Sequence, residues 1–182
     1  MDIIDLPCAV VRGRKNPLHT AFSQRLRHAR RQREATLAQV AQAAGLAGPS
    51  VVRYLESAQR TPHIDTVERL ARALGLSAGV LAYGMDGEEP HDNIGASGVG
   101  ARLRASRQER GLSARALAQQ SATSHTAIGN IERGDTMPNL ATVESLALAL
   151  GLSPAWLGFA IGAQECSPPR RVSSTGSPSA SA

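Results

Sequence analysis

The sequence predicts an all-α protein of two tandem five-helix modules joined by an acidic, glycine-rich linker. Three observations predict it. First, the chain repeats itself: T-V-E-R-L-A-R-A-L-G-L-S at 66–77 recurs as T-V-E-S-L-A-L-A-L-G-L-S at 142–153, matching at ten of twelve positions. The offset is 76 there but 77 for an upstream R-L-R (25–27 and 102–104), so the first copy holds one extra residue in between. Second, apolar residues make up 42% of the chain and are mostly Ala, Leu and Val, a helix-leaning set. Third, Gly and Pro fall at the ends of the periodic segments. A chain of 182 residues fits two modest domains.

The second copy shows its elements more plainly. Val99, Leu103 and Ser106/Arg107 are spaced for a first helix ending near Arg110, with Gly111 suited to close it left-handed. Ser113 caps a short second helix that turns Leu117 and Ala118 inward. After the tight turn Ala122-Thr123-Ser124, Ser124 caps a third helix over His125 to Arg133, with Ile128 and Ile131 buried and Gly134 ending it. Pro138-Asn139 opens a fourth helix bearing Leu140, Val143, Leu146, Ala147 and Leu150, and Gly151 stops it. Ser153-Pro154 starts a fifth through Trp156, Leu157 and Phe159. The first copy follows suit. Phe22, Leu26 and Ala29 line its first helix, Val40 and Ala41 the second, and Val52 and Leu55 the third. Ile64, Val67, Leu70 and Leu74 line the fourth, while Thr36 and Ser77 cap helices two and five. Helices this short need one another's packing to persist.

These elements divide the chain into an N-terminal extension (1–19), a first domain (20–84), a linker (85–97), a second domain (98–161) and a tail (162–182). The linker region carries four acids and neither Lys nor Arg. The tail is rich in Ser, Pro and small residues and is expected to be disordered. The extension is expected to be loosely held. Formal net charge is +5, and the arginines gather on the two modules, so an anionic partner is expected.

Other classes find no support. Cys8 and Cys166 form no metal or disulfide pattern, and no cofactor or metal is implied. His19, His28, His63, His91 and His125 are scattered, with no nucleophile arrangement and no phosphate loop, so an enzyme is not expected. No apolar run is long enough to span a membrane, and a cytoplasmic protein is expected.

A longer pattern joins these elements in the second copy. R-x-x-x-G-L-S-x-x-x-L-A begins at Arg107, T-S-x-x-x-I-x-x-I-E-R-G at Thr123, and P-x-L-x-T-V-x-x-L-A-x-A-L-G-L-S at Pro138. The run resembles the Cro/lambda-repressor-like (Xre) helix-turn-helix family, and the resemblance covers both modules. It implies a five-helix DNA-binding domain whose second and third helices form the helix-turn-helix. It also implies ion pairs between Arg107 and Glu132, and between Arg30 and Glu56, tying helix one to the end of helix three.

Under that resemblance double-stranded DNA is the expected partner, transcriptional regulation by a repressor is the expected role, and the third helix enters the major groove. Its outward positions in the second copy are His125, Thr126, Gly129 and Asn130, with Asn130 able to pair with adenine. In the first copy they are Pro49, Ser50, Arg53 and Tyr54, with Arg53 able to pair with guanine. Ser124, Ala114 and Arg115 lie at helix N-termini, which suit phosphate. Arg133 and Arg60 complete the candidate contacts. Two departures stand out. The first copy's helix-turn-helix turn is one residue longer, so its third helix is expected to sit differently and the second copy to be the better reader. Ala122 stands where the family usually has Gly, at a cost of about 1 kcal/mol if φ is positive there.

The alternative is a protein-interaction or antitoxin-like module in which DNA binding is secondary. As to assembly, one chain is expected to contact two unlike half-sites as an intramolecular pseudo-dimer. Its linker of about 14 residues averages about 19–22 Å as a coil, so it must stretch to span adjacent half-sites. The rival is a homodimer through helix five, using Trp156 and Phe159.

Overall fold

The computed structural model describes residues 18–85 and 98–164. The expected linker and tail fall almost wholly outside these residues, as does most of the extension. Ten α-helices are described. Those of the first module are α1 (Phe22–Gln32), α2 (Leu37–Ala43), α3 (Pro49–Glu56), α4 (Ile64–Ala73) and α5 (Ala78–Tyr83). Those of the second are α6 (Val99–Glu109), α7 (Ala114–Gln120), α8 (His125–Arg133), α9 (Leu140–Leu150) and α10 (Pro154–Phe159). No β-strand occurs among the described residues, so the all-α class with two five-helix modules holds.

The caps read from the sequence set the helix starts. Thr36 accepts from the Gln39 amide while the Gln39 side chain accepts from the Thr36 amide, a complete capping box. Ser77, Ser113, Ser124, Asn139 and Ser153 each accept an amide at the opening of their helices. Leu26, Val52, Ile64, Leu70 and Leu81 of the first module are fully buried, and Leu103, Ile128, Leu140, Leu146 and Leu157 match them in the second. They belong to one contiguous apolar core that runs through both modules.

That continuity corrects the picture of two modules tethered by a stretched linker. The modules pack directly, α5 against α10. Ile64 N–H donates to Pro138 O and Leu140 N–H to Pro62 O, both at 3.1 Å, around an antiparallel bridge between His63 and Asn139. The Tyr83 and Phe159 rings meet with centroids 6.3 Å apart, and the Tyr83 hydroxyl donates to Leu140 O at 3.0 Å. Phe159, which the rival homodimer would have used against a second chain, is therefore buried against the first module of its own chain. Trp156 is only partly buried beside the same core.

The start of the described chain joins this contact. A 3₁₀ turn over Leu18–Ala21 brings the backbone amides of Leu18 and His19 to the Glu144 carboxylate on α9, and His19 Nδ1 lies 2.6 Å from it. Residues 18 and 19, expected to be loosely held, are thus docked on the second module. Burial opposes the charge on Glu144, but His19 and the two amides outweigh it and hold its pKa below the usual carboxylate value.

Candidate nucleic-acid interface

In each module the second and third helices are joined by a short turn and held in place from behind. Arg30 grips Glu56 through two contacts, Nε to Oε1 at 2.6 Å and an Nη to Oε2 at 3.0 Å. Arg107 grips Glu132 the same way, at 2.6 and 2.8 Å. The remaining Nη of each arginine donates to the loop before helix two, at Ala35 O and Leu112 O. One guanidinium therefore ties helix one, that loop and the end of helix three together, as the resemblance implied. These bidentate bonds also favour the charged form of both arginines, raising their pKa values.

The two turns differ as expected in length. Five residues separate α2 from α3, and four separate α7 from α8. Gly45 absorbs the longer turn with φ +61°, while Ala122 keeps a negative φ and carries no left-handed strain. Both turns are tied to the fourth helix by equivalent positions, 69 and 145. Arg69 donates to Gly45 O at 3.2 Å, and Ser145 Oγ accepts from the Ala122 amide at 3.2 Å. These positions are one of the two mismatches in the twelve-residue repeat. The long side chain stands opposite the long turn, and the short one opposite the short turn. Sequence reasoning passed over this pair, although the mismatch itself was the available signal.

The outward faces of α3 and α8 carry the candidate readers. Pro49, Ser50, Arg53 and Tyr54 are exposed on α3, and His125 and Thr126 on α8. Gly129 and Asn130 are partly covered, because Arg133 folds back over them. An Arg133 Nη donates to Asn130 Oδ1 at 2.6 Å, and its Nε donates to Asp135 at 2.8 Å. This contact orients the Asn130 amide and leaves Oδ1 a second lone pair, so pairing with adenine stays open. In the first module Arg60 lies over the Tyr54 ring, 6.0 Å from its centroid, which places a cation beside the exposed end of α3. Ser124 spends its hydroxyl on the α8 cap, while Ala114 and Arg115 open α7.

Charge sorts these surfaces sharply. The helices α2, α3, α7 and α8 contain only two acids, Glu56 and Glu132, and each is locked by an arginine of helix one. Arg53, Arg115 and Arg133 meet no opposing carboxylate on those helices, and no acid lies in the first turn of any of the four. The helix N-termini and the arginines therefore present one sign of potential, suited to phosphate.

A pair of short helices joined by a tight turn, buttressed by a third and turning an acid-free face outward, defines a DNA-binding class of protein. The chain belongs to the helix-turn-helix family: the model described as a helix-turn-helix domain matches residues 21–89 and 99–157, one match per module. No curated protein and no solved structure gave a match. No helix among the described residues is long and apolar enough to cross a membrane, and no group of residues there is arranged to hold a metal ion.

Proposed function

We propose that the chain is a sequence-specific reader of double-stranded DNA that regulates transcription as a non-catalytic, cofactor-free cytoplasmic repressor by occupying promoter DNA. The observation that carries this reading is the outward face of the two helix-turn-helix units. It joins arginines and base-pairing side chains to an absence of unpaired acids on the helices concerned, and Asp135, just past the end of α8, is itself paired with Arg133. Asn130 and Arg53 are the base readers, at an adenine and a guanine respectively. Arg115, Arg133 and Arg60, with the helix N-termini at Ala114 and Ser124, hold the phosphates.

Selection of bound duplexes from random DNA tests the reading. The full chain enriches one sequence, and binding to it weakens steeply with salt as phosphate contacts release counterions. Asn130→Ala then weakens that site by about 1–3 kcal/mol and relaxes preference at one base pair. Equal binding to all duplexes, or an Asn130→Ala chain that binds as tightly as the parent, would leave a protein partner as the better explanation.

A further inference from the structure

We infer that one chain is a covalently fused dimer reading two unlike half-sites in inverted orientation, one through α3 and one through α8. The inference rests on the DNA-binding reading above and adds the geometry of the site. Its basis is the way the modules meet. Residues 62, 63, 64 and 83 of the first module are equivalent in the repeat to 138, 139, 140 and 159 of the second. Across the interface these equivalents meet one another. His63 bridges Asn139, the amides of Ile64 and Leu140 donate reciprocally to Pro138 and Pro62, and the ring of Tyr83 packs on that of Phe159.

Opposite charges follow the same rule. Arg25 of the first module faces Glu144 of the second, and Arg102 of the second faces Glu68 of the first. Arg25 and Arg102 are equivalent, as are Glu68 and Glu144. Contacts that exchange equivalent residues are the mark of an isologous, two-fold interface. Head-to-tail packing, which would suit a direct repeat, pairs unlike residues instead.

A two-fold axis preserves height along itself. It therefore puts α3 and α8 at the same height, on opposite sides and with opposite polarity. Duplex DNA has local two-fold axes of its own, so the natural alignment sets the half-sites as an inverted pair. The spacing agrees. Seven residues run from the end of α3 at Glu56 to the bridge at His63, and six from Arg133 to Asn139. Extended, those segments reach at most about 22–25 Å, so neither recognition helix ends farther than this from the bridge. Adjacent half-sites on one face of the duplex require each helix to lie about 17–18 Å from the axis, which is within that reach. Because Arg53 and Tyr54 stand where the second module has Gly129 and Asn130, the two halves differ in sequence.

The test begins with the full chain and the duplex selected from random DNA. The expected complex holds one chain per duplex by sedimentation. Arg53→Ala alters base preference in one half of the site, and Asn130→Ala alters it in the other. Reversing one half to make a direct repeat, or shifting the spacing by about half a helical turn, lowers affinity about a hundredfold or more, because the second module's effective concentration is lost. Two chains on a perfect palindrome, or a direct repeat bound as well as the inverted site, would overturn the fused-dimer geometry while leaving DNA reading intact. So would either variant altering both halves. Enrichment of no duplex at all would overturn both.

Discussion

Individual residues show how one backbone tolerates two sequences. Among the described residues three non-glycine residues hold a left-handed φ, Glu34, Ala58 and Ala160, and each has a glycine at its equivalent position in the other module, Gly111, Gly134 and Gly84. The fold demands the conformation in both copies, and the sequence meets the demand cheaply in only one. Ala58 closes the end of α3 at φ +57° where Gly134 closes α8. A buried hydroxyl tells a similar story. Ser106 is fully buried on α6 and its Oγ has no hydrogen-bond partner among the described residues, whereas the equivalent position in α1 is Ala29. Each copy therefore names the better residue for the other. Ala58→Gly is expected to stabilise the chain by up to about 1 kcal/mol, and Ser106→Ala by about 1 kcal/mol through removal of an unsatisfied polar group. Denaturant midpoints check both; a loss of stability in Ser106→Ala means that the hydroxyl is satisfied in solution.

At the level of elements, the helix-turn-helix is positioned by side chains that do not belong to it. Arg30 and Arg107 hold the far end of the recognition helix. Arg25 and Arg102 hold the C-terminal ends of α5 and α10, donating to Leu81 O and Ala82 O in one module and to Leu157 O and Gly158 O in the other. Burial lowers both of their pKa values to about 10, yet they remain charged near neutrality beside the negative helix ends. Close approach matters as well. A Cβ on Gly100 would stand 2.3 Å from Ile131 O, so α6 meets the end of α8 at a distance that only glycine permits. The turn tie at position 69 yields the sharpest element-scale expectation. In Arg69→Ser the side chain is too short to reach Gly45 O across the longer turn. Amide exchange at residues 44–48 is expected to quicken, and binding to the half-site read by α3 to weaken, with little change in global stability because the bond is exposed. Unchanged exchange in that turn would show that Gly45 alone sets its shape.

Across the whole molecule, the contact between modules couples folding to assembly. Glu144 is the clearest handle, since this carboxylate of the second module receives the Leu18 and His19 amides and faces Arg25. Its pKa is lowered in the folded state, so the unfolded chain takes up its proton first as the solution is acidified. The Glu144 contribution is therefore complete above the ordinary carboxylate range and is lost as pH falls through the lowered folded value. Glu144→Gln is expected to remove that part of the acid slope of stability and to lower stability at neutral pH. Because the core is continuous, fluorescence of the single tryptophan, Trp156, is expected to follow the same transition as the helical signal of the entire chain. Separate midpoints for the two probes would mean that the modules unfold independently.

The sequence by itself determined the elements and their order. Helical spacing of Leu, Val and Ile, Ser, Thr and Asn at the caps, and Gly or Pro at the ends are local signals, and local signals are written along the chain. The repeat carried the domain pattern, and the family resemblance of the motif from Arg107 to Gly134 and its first-copy counterpart implied the two ion pairs. What only the tertiary structure decided lies between elements. Nothing in the spacing of Ile64 and Leu140 reveals that their amides are exchanged between modules, because such contacts join residues 74 and 78 positions apart. Arg25 and Arg102 were visible only as a repeated R-L-R, since their partners are backbone carbonyls, which every sequence possesses equally. The linker offered a length and the repeat offered two similar faces. That those faces are packed together rather than tethered apart was decided by the contact of α5 with α10 and of the Tyr83 ring with that of Phe159, apolar surface that the modules bury against each other.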